Sequence, residues 1–135
     1  MPVTAIKLDD IVQYEPKTTI KAYAKAGVAI DRGQPISLDS NGEWVLADDD
    51  GGIRCDAFAL TSCTAAEATA KSQKALIVGV THGRGKADFA GNGFAVGLIA
   101  LSDTAGKVDQ TAANQKVGVN IDGKICLIHV EKSVI

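Results

Sequence analysis

A chain of 135 residues that is 46% hydrophobic but only 4% aromatic has room for one compact domain with a core of small and β-branched side chains. Its formal net charge of −2, from 14 basic and 16 acidic residues dispersed along the chain, leaves no basic block to track a phosphate backbone, so nucleic acid is not an expected partner. The longest apolar stretches, Ala75–Val80 and Gly93–Leu101, are too short to span a bilayer, and the early charges Lys7, Asp9 and Asp10 argue against a secretory signal, so no membrane partner is expected either.

In chain order, residues 1–17 carry Val3, Ile6, Leu8, Ile11 and Tyr14 at no single period ahead of Pro16. They read as an N-terminal arm or as a first strand, with 18–135 forming a single β-rich domain. Thr18–Ala24 alternates, placing Ile20, Ala22 and Ala24 on one side of a half-buried strand. Asp31-Arg-Gly33 reads as a turn ahead of Pro35, a residue suited to a strand's first position. Ile36–Asp39 and Glu43–Ala47 then form a hairpin around Ser40-Asn41-Gly42, whose Asn-Gly pair adopts positive φ angles readily. Asp48–Gly52 is a polar loop and Ile53–Thr61 the next strand. Thr64-Ala-Ala-Glu67 matches a capping box and predicts a short helix over Ala65–Lys74, or a structured loop, since large apolar residues to dock it are lacking. Ala75–Thr81 and Phe94–Leu101 are apolar runs of strand length, while Gly83–Gly85 and Gly91–Gly93 read as turns. Asp122-Gly123, between Val117–Ile121 and Lys124–Val130, is the strongest hairpin signal. The expected fold is therefore mainly all-β, a small β-barrel or sandwich with short hairpins and one short helix near 65–74.

Titratable groups that catalysis would need are few. The only histidines are His82, expected on a surface turn, and His129, expected on a strand face. A hydrolase built on His82 with Cys55 or Cys126 would need a nucleophile motif, and the chain has no Gly-x-Ser-x-Gly and no Cys-x-x-Cys. Cys55, Cys63 and Cys126 are an odd set without paired spacing, as expected of reduced, buried thiols in a protein made in a cytosol, and they lack zinc-ligand spacing. Asp48-Asp49-Asp50-Gly51 resembles a calcium loop for three residues, then fails at Gly52 and lacks the closing glutamate. Gly91-Asn-Gly93 and Gly83-Arg-Gly85 lack the rest of a phosphate-binding fingerprint. No cofactor, no metal and no enzymatic activity are expected. Trp44, beside the first hairpin, reads as a partial core residue or an interface anchor. A carbohydrate-binding β module of a virion is the alternative, although such modules present several aromatic side chains and this chain has one Trp, two Tyr and three Phe.

One long stretch carries more. Ala26-Gly-Val-Ala-Ile-Asp-Arg-Gly-Gln-Pro-Ile-Ser-Leu-Asp-Ser-Asn-Gly-Glu-Trp-Val-Leu-Ala-Asp-Asp-Asp50 resembles the opening of bacteriophage capsid cement, or head decoration, proteins: an apolar strand, a Gly-Gln-Pro-aliphatic lead-in and a Gly-Lys/Glu-Trp hairpin ending in Ala-Asp. Asp56-Ala-Phe-Ala-Leu60 and Ser102-Asp-Thr-Ala-Gly-Lys-Val108 resemble two further family segments, and Val117–Val119 with Ile125–Val130 resembles its closing strands. The likeness runs from about Lys21 to the C-terminus. It departs at Ala65–Lys74, where the family has a glycine-centred turn, and in an N-terminal segment that is longer than usual. The resemblance implies a structural virion protein on the capsid exterior. It would bind the major capsid protein of an expanded shell in many copies, as trimers around local three-fold axes, and stabilise it. Under that reading Val3, Ile6, Leu8, Ile11, Tyr14 and Trp44 are the expected capsid or subunit interface.

Overall fold

The computed structural model describes residues 3–13 and 19–130. Eleven strands and one α-helix follow each other as β1 (Asp10–Gln13), β2 (Thr19–Tyr23), β3 (Pro35–Leu38), β4 (Trp44–Leu46), β5 (Ala57–Ala59), α1 (Ala65–Ala70), β6 (Leu76–Val80), β7 (His82–Lys86), β8 (Gly97–Leu101), β9 (Val108–Asp109), β10 (Lys116–Asn120) and β11 (Ile125–His129). They form a six-stranded sheet in the order β1-β7-β11-β10-β8-β9 and a five-stranded sheet in the order β2-β6-β5-β3-β4, each pairing antiparallel. The fold is mainly β, as expected.

Both sheets curl until their edges touch. In the larger one Ile6, just ahead of β1, exchanges backbone hydrogen bonds with Val108 of β9 (2.9 and 2.7 Å), while β1 itself pairs with β7 at the other edge. The N-terminal segment thus spans the seam. In the smaller sheet Ala24, after β2, bridges Trp44 of β4, and the Lys25 amide donates to the Trp44 carbonyl (3.0 Å). Each seam is a single bridge, which covers part of the unpaired backbone that an open sheet edge presents.

The buried residues form two cores. Leu8, Ile11, Phe58, Val80, Phe89, Phe94, Ile99, Leu101, Val117 and Ile128 are among the residues packed inside the first. Ile30, Ile36, Trp44, Ile77 and several alanines fill the second. Strand β5 belongs to both, sending Phe58 into one core and Ala57 and Ala59 into the other, because successive strand residues face opposite ways.

Several local expectations hold. Pro35 opens β3, and the Asn41-Gly42 and Asp122-Gly123 turns close the β3–β4 and β10–β11 hairpins. The capping box is complete, with Thr64 Oγ1 accepting from the Glu67 amide (3.1 Å) and Glu67 Oε1 accepting from the Thr64 amide (2.8 Å). The helix ends earlier than Lys74: Lys71 adopts a left-handed C-cap at φ 53°, and a 3-10 turn over Gln73–Ala75 follows. Lys71 then pins this end to the barrel seam by donating to the Ala24 carbonyl (2.8 Å) and pairing with Glu43.

Three expectations need correction. Gly83–Gly85 is not a turn but the middle of β7, paired on both sides, so His82 sits on a strand. A glycine is required there because a Cβ at Gly85 would lie 2.7 Å from Leu8 Cδ1 and 3.0 Å from Cys126 Sγ. The strand predicted over Ile53–Thr61 is confined to Ala57–Ala59, with Ile53 instead closing a tight bridge to Asp48. The strand predicted from Phe94 begins at Gly97, and Phe94 is tucked against Phe89, ring centroids 5.5 Å apart.

Candidate interaction surface

Three of the six residues expected at an interface are inside the molecule. Leu8 (0% exposed), Ile11 (1%) and Trp44 (0%) are core residues, and the Trp44 indole N–H is already committed to the Ile77 carbonyl (3.1 Å). These three offer nothing to a partner, so the interface expectation is corrected for them. Of the two readings of the N-terminal stretch, the strand is the one present at Asp10–Gln13. Val3 and Ile6 are half-buried against the first core; Tyr14 lies outside the described residues.

The cysteine–histidine pairing also does not form with Cys126. His82 lies three residues along β7 from Gly85, the partner of Cys126 in the β7–β11 register, and so projects to the opposite face of the sheet from Cys126. Cys55 Sγ donates to the Ala57 carbonyl (3.2 Å). Burial raises all three thiols, Cys126 to about 12, which holds them in the non-nucleophilic form. The acidic loop does structural work: Asp48 Oδ1 accepts from the Gly51 amide (3.2 Å) and Asp49 Oδ1 from the Gln115 amide (3.0 Å). Among the described residues no three His, Cys, Asp or Glu side chains converge as metal ligands would, and no helix is long and apolar enough to cross a membrane.

Large apolar side chains do gather on the outside of the six-stranded sheet. In β11 the alternation Ile125-Cys126-Leu127-Ile128-His129 buries Cys126 and Ile128 and turns Leu127 and His129 outward. The register then aligns neighbours. Leu127 is opposite Val119 on β10 and Arg84 on β7. Val119 is in turn opposite Leu98 on β8, and Arg84 opposite Val12 on β1. One row across five strands therefore reads Val12, Arg84, Leu127, Val119, Leu98. Val12 is 48% exposed and Val119 and Leu127 each 38%. Beside it runs a second row, in which Asp10 opposes Lys86 and Lys86 opposes Ile125, with the exposed Ile121 donating its amide to the Ile125 carbonyl.

Cations stand within and beside these rows. Arg84, Lys86 and Lys116 are exposed, whereas the carboxylate of Asp10 is held by Arg32 at 2.6 Å. On the third row His82 opposes His129, their rings edge-to-face with centroids 4.3 Å apart, and Thr81 Oγ1 lies 3.0 Å from His82 Nδ1. A shallow depression of about 300 Å³ lies between Lys116, Gly118, Val119 and His129, where β10 shifts register between Lys116 and Gly118. The face is thus broad and gently hollowed, with cations set among its apolar side chains. Such a surface suits contact with another macromolecule better than enclosure of a small ligand. Comparison with protein families, curated proteins and solved structures finds no match to the chain.

Proposed function

We propose that the protein is a capsid cement protein, binding the outer surface of an expanded phage shell in many copies and stabilising it. The observation that carries the reading is the resemblance of Ala26–Asp50, Asp56–Leu60 and Ser102–Val108 to segments of that family. A supporting one is that these segments, far apart in the chain, pack as one unit. The Gly106 amide donates to the Ala47 carbonyl (2.9 Å) and the Asp49 amide to the Ser102 carbonyl (3.1 Å). Asp56 Oδ2 accepts from the Leu38 amide (2.8 Å), and a Cβ at Gly106 would lie 2.7 Å from Gln34 Nε2. The motif residues are therefore ones whose identity this fold constrains.

Cement activity needs no bond chemistry. If the docking site exists on the expanded shell alone, binding favours that state by mass action, and contacts repeated over a lattice add where a single contact would be weak. The test is co-sedimentation with expanded and unexpanded shells of the major capsid protein encoded alongside this chain. Binding to expanded shells, with a higher temperature of shell disruption, is expected. Equal binding to both states would remove the dependence on expansion, and binding to neither would refute the reading.

A further inference from the structure

We infer that the outward face of the six-stranded sheet is the surface that docks on the shell, and that it takes a protein surface whose apolar side chains are interspersed with carboxylates. This rests on the cement reading above. Val12, Leu127, Val119 and Leu98 form one cross-strand row interrupted only by Arg84, so removing water from one removes it from its neighbours. Among the described residues, five of the eight large apolar side chains that remain exposed, Val12, Val96, Val119, Ile121 and Leu127, belong to this sheet or to the turns at its end. The five-stranded sheet exposes Tyr23 and Leu76, and Tyr23 lies beneath the Lys71 ammonium, 6.0 Å from its ring centre.

Charge selects the occupant. Arg84, Lys86 and Lys116 are exposed; Asp10 is paired with Arg32 and Asp9 and Asp88 line the depression beside Lys86, so the cation set within the apolar row is Arg84, between Val12 and Leu127. A second copy laid face to face would set cations against cations, and like charges directly opposed are destabilising. A nucleic acid would satisfy the cations but leave the apolar row unmatched. An apolar surface that carries carboxylates satisfies both. Size points the same way. Five strands about 4.8 Å apart, each presenting a few outward residues, span on the order of 300–400 Å², about half of the roughly 800 Å² per partner in a stable two-body complex. A contact of that size holds when it is repeated on a lattice.

The test compares the full-length protein with Leu127→Glu, Arg84→Glu and, on the other sheet, Leu76→Glu, each checked for an unchanged thermal midpoint. Binding is measured by co-sedimentation with the same expanded shells at low and high salt. Leu127→Glu and Arg84→Glu are expected to bind at least about tenfold more weakly and Leu76→Glu as wild type, with added salt weakening wild type more than Arg84→Glu. Loss of binding by Leu76→Glu alone would overturn the face assignment and leave the cement reading standing. Failure of wild type to bind would overturn the cement reading and this inference together. Two controls address the occupant: a wild-type dimer in sedimentation equilibrium that Leu127→Glu dissolves would make it a second copy. Retention of a duplex DNA oligonucleotide that Arg84→Glu abolishes would make it a nucleic acid. Either result overturns the proposal.

Discussion

Gly123 sits at φ +90° in the β10–β11 turn, and a Cβ there would approach Ala90 Cβ to 3.3 Å. A β-branched residue resists that backbone region, and the neighbouring contact is tight. Gly123→Val is expected to lose about 1–3 kcal/mol, read as a lower midpoint in a denaturant titration; an unchanged midpoint would contradict the turn geometry. Burial governs the cysteines in the same local way. Cys55 and Cys126 are each 1% exposed, and desolvation is the leading cause of their raised pKa values. Neither is expected to react with a thiol reagent at neutral pH until denaturant is added, and rapid labelling of the native protein would show that the first core opens.

At the scale of elements, the hairpins and the helix are held at their ends by carboxylates. Asp122 Oδ1 accepts from the amides of Lys124 and Ile125 (both 2.9 Å), Asp39 Oδ1 from those of Asn41 and Glu43 (2.9 and 3.0 Å), and Glu67 closes the capping box. The amides of Lys124, Glu43 and Thr64 are the respective leading reasons that these three acids titrate below their ordinary values. A carboxylate whose pKa is depressed by folding contributes stability that is present above its unfolded value and is lost as pH falls through the folded one. The thermal midpoint should therefore hold near neutrality and drop below about pH 4. Asp122→Asn, which keeps an Oδ1 acceptor without the charge, should flatten part of that acid limb in melts recorded across the range. An acid limb identical to wild type would show that Asp122 does not contribute.

For the whole molecule, the N-terminal segment decides whether the larger sheet closes. It supplies Leu8 and Ile11 to the first core, and both are fully buried. It also supplies β1 to β7 and the Ile6 bridge to β9. The Leu8 carbonyl is packed so closely on the chain that a Cβ at Gly33 would sit 1.7 Å from its oxygen. Truncating one such side chain to alanine costs about 2–5 kcal/mol, against a total stability of about 5–15 kcal/mol for a domain. Deleting residues 2–13 is therefore expected to abolish cooperative unfolding, followed by circular dichroism. Because β5 joins the two cores, fluorescence of Trp44 in the second core should shift to that of an exposed indole in the same truncated chain. A truncated chain with native spectra by both probes would make the segment dispensable to the fold.

Local chemistry alone determined the punctuation of this chain. Asn41-Gly42 and Asp122-Gly123 select tight turns through the backbone angles those residues tolerate, Pro35 starts a strand because it has no amide to donate, and Thr64 with Glu67 satisfies a helix start within four residues. Apolar runs and alternation likewise marked most strands and the β-rich class. Tertiary structure decided the rest, for reasons of long-range packing. Gly83 and Gly85 look like turn residues until Leu8 and Cys126, from distant segments, occupy the space beside Gly85. Val3, Ile6, Leu8 and Ile11 show no period because their segment crosses from one sheet edge to the other, and Trp44 became core because the smaller sheet curls around it. The outward row of Val12, Arg84, Leu127, Val119 and Leu98 follows from the register among five strands drawn from both ends of the chain. A slip of one residue in any of them would turn that strand's contribution inward, and no pattern within a single segment specifies that alignment.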